Sequence, residues 1–402
     1  MSHRFDVAVV GGGAAGLVSA ISASRRGGAV AVCDRMPRLG KKILITGGGR
    51  CNLLNENLSP AFYTSGNPDL VASVFARFGK EDIRDFFRGL GLVTYSENGR
   101  LFPATNQASS VLKVLELEVR RLGVTVQLNF EAVSIERTGL SFTVKATDGR
   151  TLEARSVILA GGGKAYPALG SNGSGYRLAR KFGHGLISPV PSAVPLLVKD
   201  KMCHVLQGQK LRAAATGLAG ARPAAVAEGE VLFTQYGLSG TAVLDVSESL
   251  SIALNREGET NAALVLDLVP FLTRDRLAAE FLRRMKAGWT DGDLAAGILP
   301  DKFSGLIPGL LSGGNERGEK AAAGLAADLK EKRFSVHGTR GWNEAEFTCG
   351  GLDGRQVNPG TLESKFQKGL YFAGEILDVQ GGRGGYNLAW AWASGFVAGL
   401  TL

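Results

Sequence analysis

With 402 residues, the chain is long enough for two domains that each bury their own core. Its 45% apolar and 21% charged residues are ordinary for a globular protein, but its 56 glycines occur in short runs without a period, which excludes collagen. The net charge of +9 favours an anionic ligand, a nucleotide or a nucleic acid, although a merely basic surface would give the same total.

Much of the basic excess lies near the start of the chain. Residues 1–55 contain eight Lys and Arg and two Asp, a net charge of +6. The four cysteines form no CxxC pair and stand at no metal-like spacing to the four histidines. This pattern argues against a metal site or a disulfide framework and predicts a reducing, cytoplasmic setting.

The first predicted elements form a β–turn–α–β unit of a parallel sheet. A strand over Phe5–Val10 is broken by three glycines, a small-residue helix follows over Ala14–Ser24, and a second strand spans Ala29–Cys33. The stretch 7–24 carries no charge. Its glycines, and the acid before it, argue against a signal peptide or a membrane span.

Further elements follow in order along the first half of the chain. Helical spacing predicts one helix over Pro68–Gly89 and another over Val111–Leu122. Short strands are predicted between residues 124 and 154, and a buried strand over Ser156–Ala160 ends in three glycines.

The second half begins with a change of composition near Pro189–Pro195. Short strand-like pieces run to about residue 246, a charged helical pattern covers 274–332, and strands return over 334–347. A last buried strand over Lys368–Ala373 leads into a glycine-rich loop and a helix from about Tyr386 to Leu400.

The glycine turn matches a dinucleotide-binding fingerprint. Residues 11–16 read GGGAAG, which is G-x-G-x-x-G between a strand and a helix. Asp34 ends the next strand, 18 residues past Gly16, where an acid hydrogen-bonds a ribose hydroxyl. The pattern predicts phosphate binding at the helix N-terminus. A tight strand–helix turn without a ligand is the alternative.

The sequence favours FAD over NAD in that fingerprint. A simple NAD dehydrogenase continues with regular βαβ units, whereas this chain inserts KKILITGGGRCN and a long segment first. Its C-terminal strand, acidic loop, glycine turn and helix resemble the glutathione-reductase-type FAD fold. Glu375 or Asp378 would then hold the ribityl chain, and the helix N-terminus would face the flavin pyrimidine, where reduced flavin carries negative charge.

Five ordered stretches make the resemblance specific: VAVVGGGAAGL, KKILITGGGRCNLLN, VILAGGGKAYPALGSNGSGY, LFTQYGLSGTAVLDVS and GLYFAGEILDVQGGRGGYNLAWAWASG. Together they resemble the BaiN/RdsA-type bacterial flavoproteins, also described as aminoacetone-oxidase-like FAD enzymes. The resemblance implies a discontinuous FAD-binding, Rossmann-like domain over 1–188 and 343–402. It also implies an inserted substrate domain over 189–342, with barrel-like strands at about 189–250 and 333–347 and a helical part at about 270–332.

The fingerprint and the resemblance together predict the residues that bind FAD. The predicted set is Gly11, Gly13, Ala14, Ala15, Gly16, Asp34, Arg35, Lys42, Thr46, Gly48, Gly49, Arg50, Cys51, Asn52, Val133, Ala160, Gly161, Gly162, Gly374, Glu375, Asp378, Gly385, Tyr386 and Asn387. Within it, Lys42 would neutralise phosphate or contact the adenosine end, and Gly47–Gly49 would let backbone pass close to the isoalloxazine.

No catalytic residue follows from the sequence alone, and two candidates stand out. Cys51 is a candidate redox thiol, against a packed or flavin-contacting cysteine, since no partner cysteine is near it in sequence. Tyr386 is a candidate proton donor because it opens the last helix.

The leading functional hypothesis is an FAD-dependent oxidoreductase that exchanges hydride between flavin N5 and a substrate. No second fingerprint follows a strand, so NAD(P)H would bind only transiently as electron donor. Activities linked to the family are reduction of steroid-like enones, reduction of a ribosomal RNA uridine to dihydrouridine, and amine oxidation. The substrate is thus a small molecule or RNA, no metal or membrane is expected, and a non-catalytic redox sensor or an NAD dehydrogenase remain alternatives.

Overall fold

A computed structural model describes residues 4–220, 222–311 and 317–400. The chain divides into two compact units. Unit 1 contains Met1–Pro189 and Phe347–Leu402, and unit 2 contains Val190–Glu346. Unit 1 is therefore assembled from both ends of the chain.

Strands and helices are numbered in chain order. The strands are β1 Arg4–Val10, β2 Val30–Cys33, β3 Leu54–Asn55, β4 Tyr63–Ser65, β5 Thr94–Glu97, β6 Arg100–Pro103, β7 Thr125–Gln127, β8 Ala132–Thr138, β9 Ser141–Ala146, β10 Thr151–Leu159, β11 Leu186–Ser192, β12 Leu196–Val198, β13 Lys210–Ala219, β14 Arg222–Thr234, β15 Gly237–Ser239, β16 Ala262–Asp267, β17 Lys332–Thr339, β18 Phe347–Leu352, β19 Leu370–Phe372 and β20 Val379–Gly381. The helices are α1 Ala14–Arg25, α2 Pro68–Arg77, α3 Lys80–Gly89, α4 Ala108–Arg121, α5 Ser174–Arg180, α6 Lys201–Val205, α7 Thr241–Asn255, α8 Arg274–Lys286, α9 Ile307–Leu310, α10 Glu319–Lys330 and α11 Tyr386–Leu400.

A seven-stranded sheet forms the centre of unit 1. Its order is β7-β2-β1-β10-β9-β8, and β19 pairs with the end of β10. Strand β1 runs parallel to both β2 and β10, and β19 runs parallel to β10. The apolar runs VAVV and VAVC are buried as in parallel sheets covered on both faces. Parallel pairing brings the loops that follow β1, β2, β10 and β19 to one edge of the sheet, where doubly wound folds bind ligands.

Two small-residue helices pack closely over this sheet. A Cβ on Gly395 of α11 would overlap the carbonyl oxygen of Ala15 in α1, and one on Gly399 would overlap that of Ser19. The two helices therefore run in the same direction. At 1.5 Å per residue, the N-terminus of α11 extends about 12 Å further along the helix axis than that of α1.

Unit 2 contains a closed six-stranded barrel in the order β12-β15-β14-β13-β16-β17. Its core includes the fully buried rings of Phe233 and Phe334, and helices α7, α8 and α10 contribute further buried side chains. The predicted fold class is confirmed: a Rossmann-type α/β domain with an inserted barrel and helices.

Two local predictions were wrong. The strands expected over 189–250 end earlier, because Thr241–Asn255 forms helix α7 with buried residues at helical spacing, among them Val243, Val246 and Leu250. The helix expected over 68–89 is two helices. It breaks at Phe78 and restarts after Gly79, whose N–H donates to Asp82 at 2.8 Å. Within the helical segment expected at 270–332, residues 312–316 lie outside the described residues.

Candidate functional site

The fingerprint glycines divide into two kinds. Gly11 has φ +107°, and a Cβ there would overlap the Ala160 carbonyl, while one on Gly16 would overlap the Gly11 carbonyl. Gly13 is different, because nothing lies within 4 Å of the place where its Cβ would stand. No side chain caps helix α1, which begins at Ala14. The helix therefore presents unpaired N–H groups to an open space that suits an anion.

Asp34 is held beside this turn. Its carboxylate accepts the Gly12 N–H at 2.6 Å and the Met36 N–H at 2.8 Å. Burial raises the pKa of Asp34, and those two N–H groups oppose the rise. The acid predicted to meet a ribose is thus fixed at the fingerprint. The neighbouring Arg35 pairs with Glu131 at 3.5 Å.

The segment GGGRC follows an unusual backbone course. Gly47, Gly48 and Gly49 have φ +57°, +66° and +87°, and Cys51 has φ +60°. Thr46 accepts the Cys51 N–H at 2.9 Å. Because glycine has no Cβ, three left-handed glycines in a row let the backbone follow a course that residues with side chains could not adopt. A left-handed cysteine persists only where its surroundings fix it, and such positions cluster at functional sites.

Cys51 has the properties of a packed thiol. It is completely buried, and burial raises its pKa to about 12. All four cysteines are free and buried. The thiolate that redox chemistry requires is strongly disfavoured in this environment, so the position does not favour Cys51 as a catalytic residue.

Lys42 and Glu375 come together from opposite ends of the chain. Lys42 Nζ lies 2.9 Å from Glu375 Oε2, and Glu375 Oε1 accepts the Thr348 N–H at 2.9 Å. The Thr348 hydroxyl in turn accepts the N–H groups of Lys164 and Ala165 at 2.8 and 3.1 Å. Both oxygens of the acid expected at the ribityl chain are therefore engaged by protein.

The start of α11 lies against the end of residues 47–52, the GGGRCN loop. Gly385 has φ +102°, and a Cβ there would stand 2.6 Å from the Leu54 carbonyl carbon and 2.8 Å from Asn52 Oδ1. Asn52 Oδ1 is buried and has no hydrogen-bond partner among the described residues. A buried acceptor without a partner, beside the start of a helix, fits a ligand that donates an N–H or O–H group.

Tyr386 and Asn387 are engaged within their own segment. The Tyr386 ring lies 5.2 Å from that of Phe62, and its carbonyl accepts the Tyr63 hydroxyl at 2.7 Å. Burial raises the pKa of Tyr386, so its hydroxyl stays protonated at neutral pH. The Asn387 amide donates to and accepts from the Gly381 backbone at 2.7 and 2.9 Å. The side-chain amide of Asn387 is therefore already bonded to the loop before α11.

Other predicted residues lie on the same sheet edge or nearby. Gly374 follows β19, with φ +78°, and its N–H donates to Ser394 of α11 at 2.9 Å. Buried Asp378 accepts from Gln380 at 3.0 Å. Ala160, Gly161 and Gly162 follow β10, and the side chain of Val133 in β8 is 42% exposed. Sequence reasoning missed four residues that bind predicted site residues: Tyr63 binds Tyr386, Thr348 binds Glu375, and Tyr95 and Asn106 bind Arg50. No local pattern marks such residues, because they meet the site only through the fold.

The basic excess of residues 1–55 is partly neutralised by acids from later in the chain. Among the described side chains, five of these cations form ion pairs: Arg25 with Glu118, Arg35 with Glu131, Arg38 with Glu116, Lys42 with Glu375 and Arg50 with Glu97. The net charge of +6 counted along the sequence therefore overstates the positive charge of this region in the folded protein.

The described residues contain neither a membrane-spanning helix nor a metal-binding group. Within the described ranges, no helix combines the length and the apolar character needed to cross a bilayer. The same residues contain no group of three or more His, Cys, Asp or Glu side chains placed to hold a metal ion.

Comparison with known proteins identifies relatives over the whole chain. A 3-dehydro-bile acid Δ(4,6)-reductase of Clostridium scindens is 37% identical over 98% of both chains. A ribosomal RNA dihydrouridine synthase of Haemophilus influenzae is 32% identical over 100% of this chain and 99% of its own. Among solved structures, a 3-ketosteroid-Δ4-(5α)-dehydrogenase from Rhodococcus jostii RHA1 has a TM-score of 0.48 at 16% identity, covering 99% of this chain and 96% of that one.

The full-length matches to the two curated relatives confirm the predicted enzyme class, an oxidoreductase, and the predicted BaiN/RdsA-type family. The family described as HI0933-like protein Rossmann domain matches residues 5–401. The chain belongs to this HI0933-like family.

Proposed function

We propose that this protein transfers hydride between flavin N5 of FAD and an anionic substrate. When bound, FAD supplies the redox chemistry at N5. The contribution of the protein is to hold the cofactor, to orient it and to stabilise charge.

The single observation that carries the proposal is the parallel packing of α1 and α11. Their N-termini point the same way and are offset by about 12 Å along the helix axis. This offset suits a dinucleotide whose diphosphate lies at one helix tip and whose ring lies at the other. The open space at Gly13 and the buried, unpartnered Asn52 Oδ1 are consistent with such a ligand.

Each predicted contact has a physical basis in this arrangement. The uncapped start of α1 would bind the diphosphate, and Asp34 would accept a ribose hydroxyl. The start of α11 would face the pyrimidine end of the ring, where its partial positive charge stabilises negative charge. Glu375, fixed by Lys42 and Thr348, would border the ribityl chain.

Charge supports an anionic substrate. Unit 2 contains 18 Lys and Arg against 19 Asp and Glu, so unit 1 contains the remaining 28 against 18. The basic excess thus belongs to the unit with the fingerprint. The two curated relatives described above are named for a bile acid and for ribosomal RNA, which are both anionic.

The first experiment identifies the cofactor and its donor. The purified protein should show flavin absorbance bands and release FAD on denaturation. Anaerobic addition of NADH or NADPH should bleach those bands, and a 3-oxo-4-ene steroid acid should restore them. A colourless protein that does not take up added FAD would refute the proposal, and one that is reduced but never reoxidised by any substrate would favour a redox sensor.

Reduction of a ribosomal RNA uridine is a second candidate function. The full-length match to a ribosomal RNA dihydrouridine synthase and the basic excess of unit 1 favour it. Deletion of the gene should then remove one dihydrouridine from ribosomal RNA, and the wild-type gene should restore it. Unchanged dihydrouridine in the deletion strain would exclude this candidate.

A further inference from the structure

The side chain of Arg50 is bound by the strand pair β5–β6 and the turn after it. Nη2 donates to Tyr95 Oη at 2.6 Å and to Glu97 Oε2 at 2.7 Å, and Nε donates to Asn106 Oδ1 at 3.0 Å. The guanidinium carbon lies 4.0 Å from the centre of the Phe102 ring. Three of the five guanidinium N–H donors are therefore taken, and one face of the group is covered.

The partners of Arg50 also fix one another. Tyr95 Oη donates to Asn106 Oδ1 at 2.6 Å, so the acceptor is shared between the phenol and the guanidinium. Just beyond the loop, the Leu53 N–H donates to the Leu101 carbonyl at 2.8 Å. The chain is thus tied to the strand pair both at Arg50 and immediately after Asn52.

The loop before Arg50 needs such an anchor. Gly47, Gly48 and Gly49 are all left-handed, and glycine has more conformational freedom to lose than any other residue. Cys51, on the other side of Arg50, holds a left-handed conformation that L residues disfavour. Contacts from outside the loop must therefore select this one conformation, and the side chain of Arg50 supplies three hydrogen bonds of this kind.

We propose that Arg50 is a positioning residue rather than a cofactor ligand. By holding the GGGRCN loop on the strand pair, it fixes the backbone that is predicted to pass the flavin ring, and it places the Asn52 amide beside Gly385 at the start of α11. The inference rests on the proposed function, because the loop conformation matters for the affinity and the environment of bound FAD.

The test compares variants of Arg50 with variants of its partners. Arg50→Met should weaken FAD binding by about tenfold, a change of about 1.4 kcal/mol in binding free energy. It should also change the visible circular dichroism and the midpoint potential of bound flavin, and Arg50→Lys should restore these only in part. Tyr95→Phe and Glu97→Gln should produce the same spectroscopic change at smaller size. Arg88→Met, which removes an exposed ion pair with Asp85, is the matched control.

The outcomes separate the hypotheses. If Arg50 were a direct ligand, Arg50→Met would weaken binding while Tyr95→Phe and Glu97→Gln left affinity and dichroism unchanged, and this would overturn the inference. Unchanged affinity, dichroism and potential in Arg50→Met would also overturn it. If Arg50→Met does not fold, the two partner variants decide. A wild-type protein that takes up no FAD would instead refute the proposed function itself.

Discussion

Lys42 Nζ and Glu375 Oε2 lie 2.9 Å apart although 333 positions separate them in the chain. Each side chain is about a quarter exposed. The pair joins the segment after the fingerprint to the loop after the last strand of the sheet. Two segments that are predicted to contact the same cofactor are therefore also joined directly, by an ion pair between protein side chains.

A double-mutant cycle measures this connection. Lys42→Met, Glu375→Gln and the double variant should show a coupling of about 1 kcal/mol in the free energy of unfolding, since the pair is only partly exposed. Urea unfolding of FAD-free protein gives the values. A matched cycle on the exposed pair Arg88–Asp85 should give a coupling near zero. Strict additivity for Lys42 and Glu375 would contradict the expectation.

Two fingerprint glycines should respond in opposite ways to alanine. Gly11→Ala places a methyl group on the Ala160 carbonyl at a left-handed φ, and should lower the free energy of unfolding by about 2–4 kcal/mol. Gly13→Ala enters open space at an ordinary φ of −81°, and should change stability by less than about 0.5 kcal/mol. Gly13→Ala should nevertheless weaken FAD binding at least about tenfold, because the methyl group occupies the diphosphate space. Titration of refolded apoprotein with FAD tests this, and an unchanged affinity would mean that the diphosphate does not bind beside Gly13.

Cys51 should be dispensable for catalysis. Its burial and its pKa of about 12 leave almost no thiolate at neutral pH. Cys51→Ala should therefore retain turnover within about threefold, and lose about 1 kcal/mol of stability from packing. Native protein at pH 8 should also resist iodoacetamide, as all four cysteines are buried. Loss of turnover in a folded, FAD-loaded Cys51→Ala variant would restore the redox-thiol hypothesis.

His184 should make stability depend on pH. The side chain is 3% exposed, its Nε2 lies 2.7 Å from Ser364 Oγ, and its Nδ1 has no partner among the described residues. Burial lowers the pKa of His184 to about 4, against the opposing effect of Asp353. Because the unfolded chain binds the proton more tightly, stability is complete above about pH 6.5 and falls as the pH drops toward 4.

The size of this effect can be measured against a variant without the imidazole. The histidine should account for about 2 kcal/mol less stability at pH 5 than at pH 7.5. His184→Gln should flatten the pH dependence of the free energy of unfolding by that amount. Equal pH slopes in the two proteins would mean that His184 is protonated as easily in the folded state as in the unfolded one.

Local patterns predicted the parts of the fold that are encoded locally. The fingerprint, the strand before it and the bounds of α11 follow from apolar periodicity and glycine placement, which need no distant partner. Helix α7 was missed because its small and polar residues dilute the helical period. The break between α2 and α3 was missed although its signal is local, since Gly79 stands just before α3 and its N–H is accepted by Asp82 three residues later.

The sequence by itself determined that a parallel β–α–β unit with a fingerprint opens the chain and that an apolar helix begins at Tyr386, because strand and helix formation respond to near neighbours. Only the tertiary structure decided that α1 and α11 pack in parallel and that Lys42 forms an ion pair with Glu375. It also decided that Arg50 donates a hydrogen bond to Tyr95 and that the Cys51 side chain is buried. These contacts join residues tens to hundreds of positions apart, and burial, charge pairing and hydrogen bonding depend on distance in space rather than on distance along the chain.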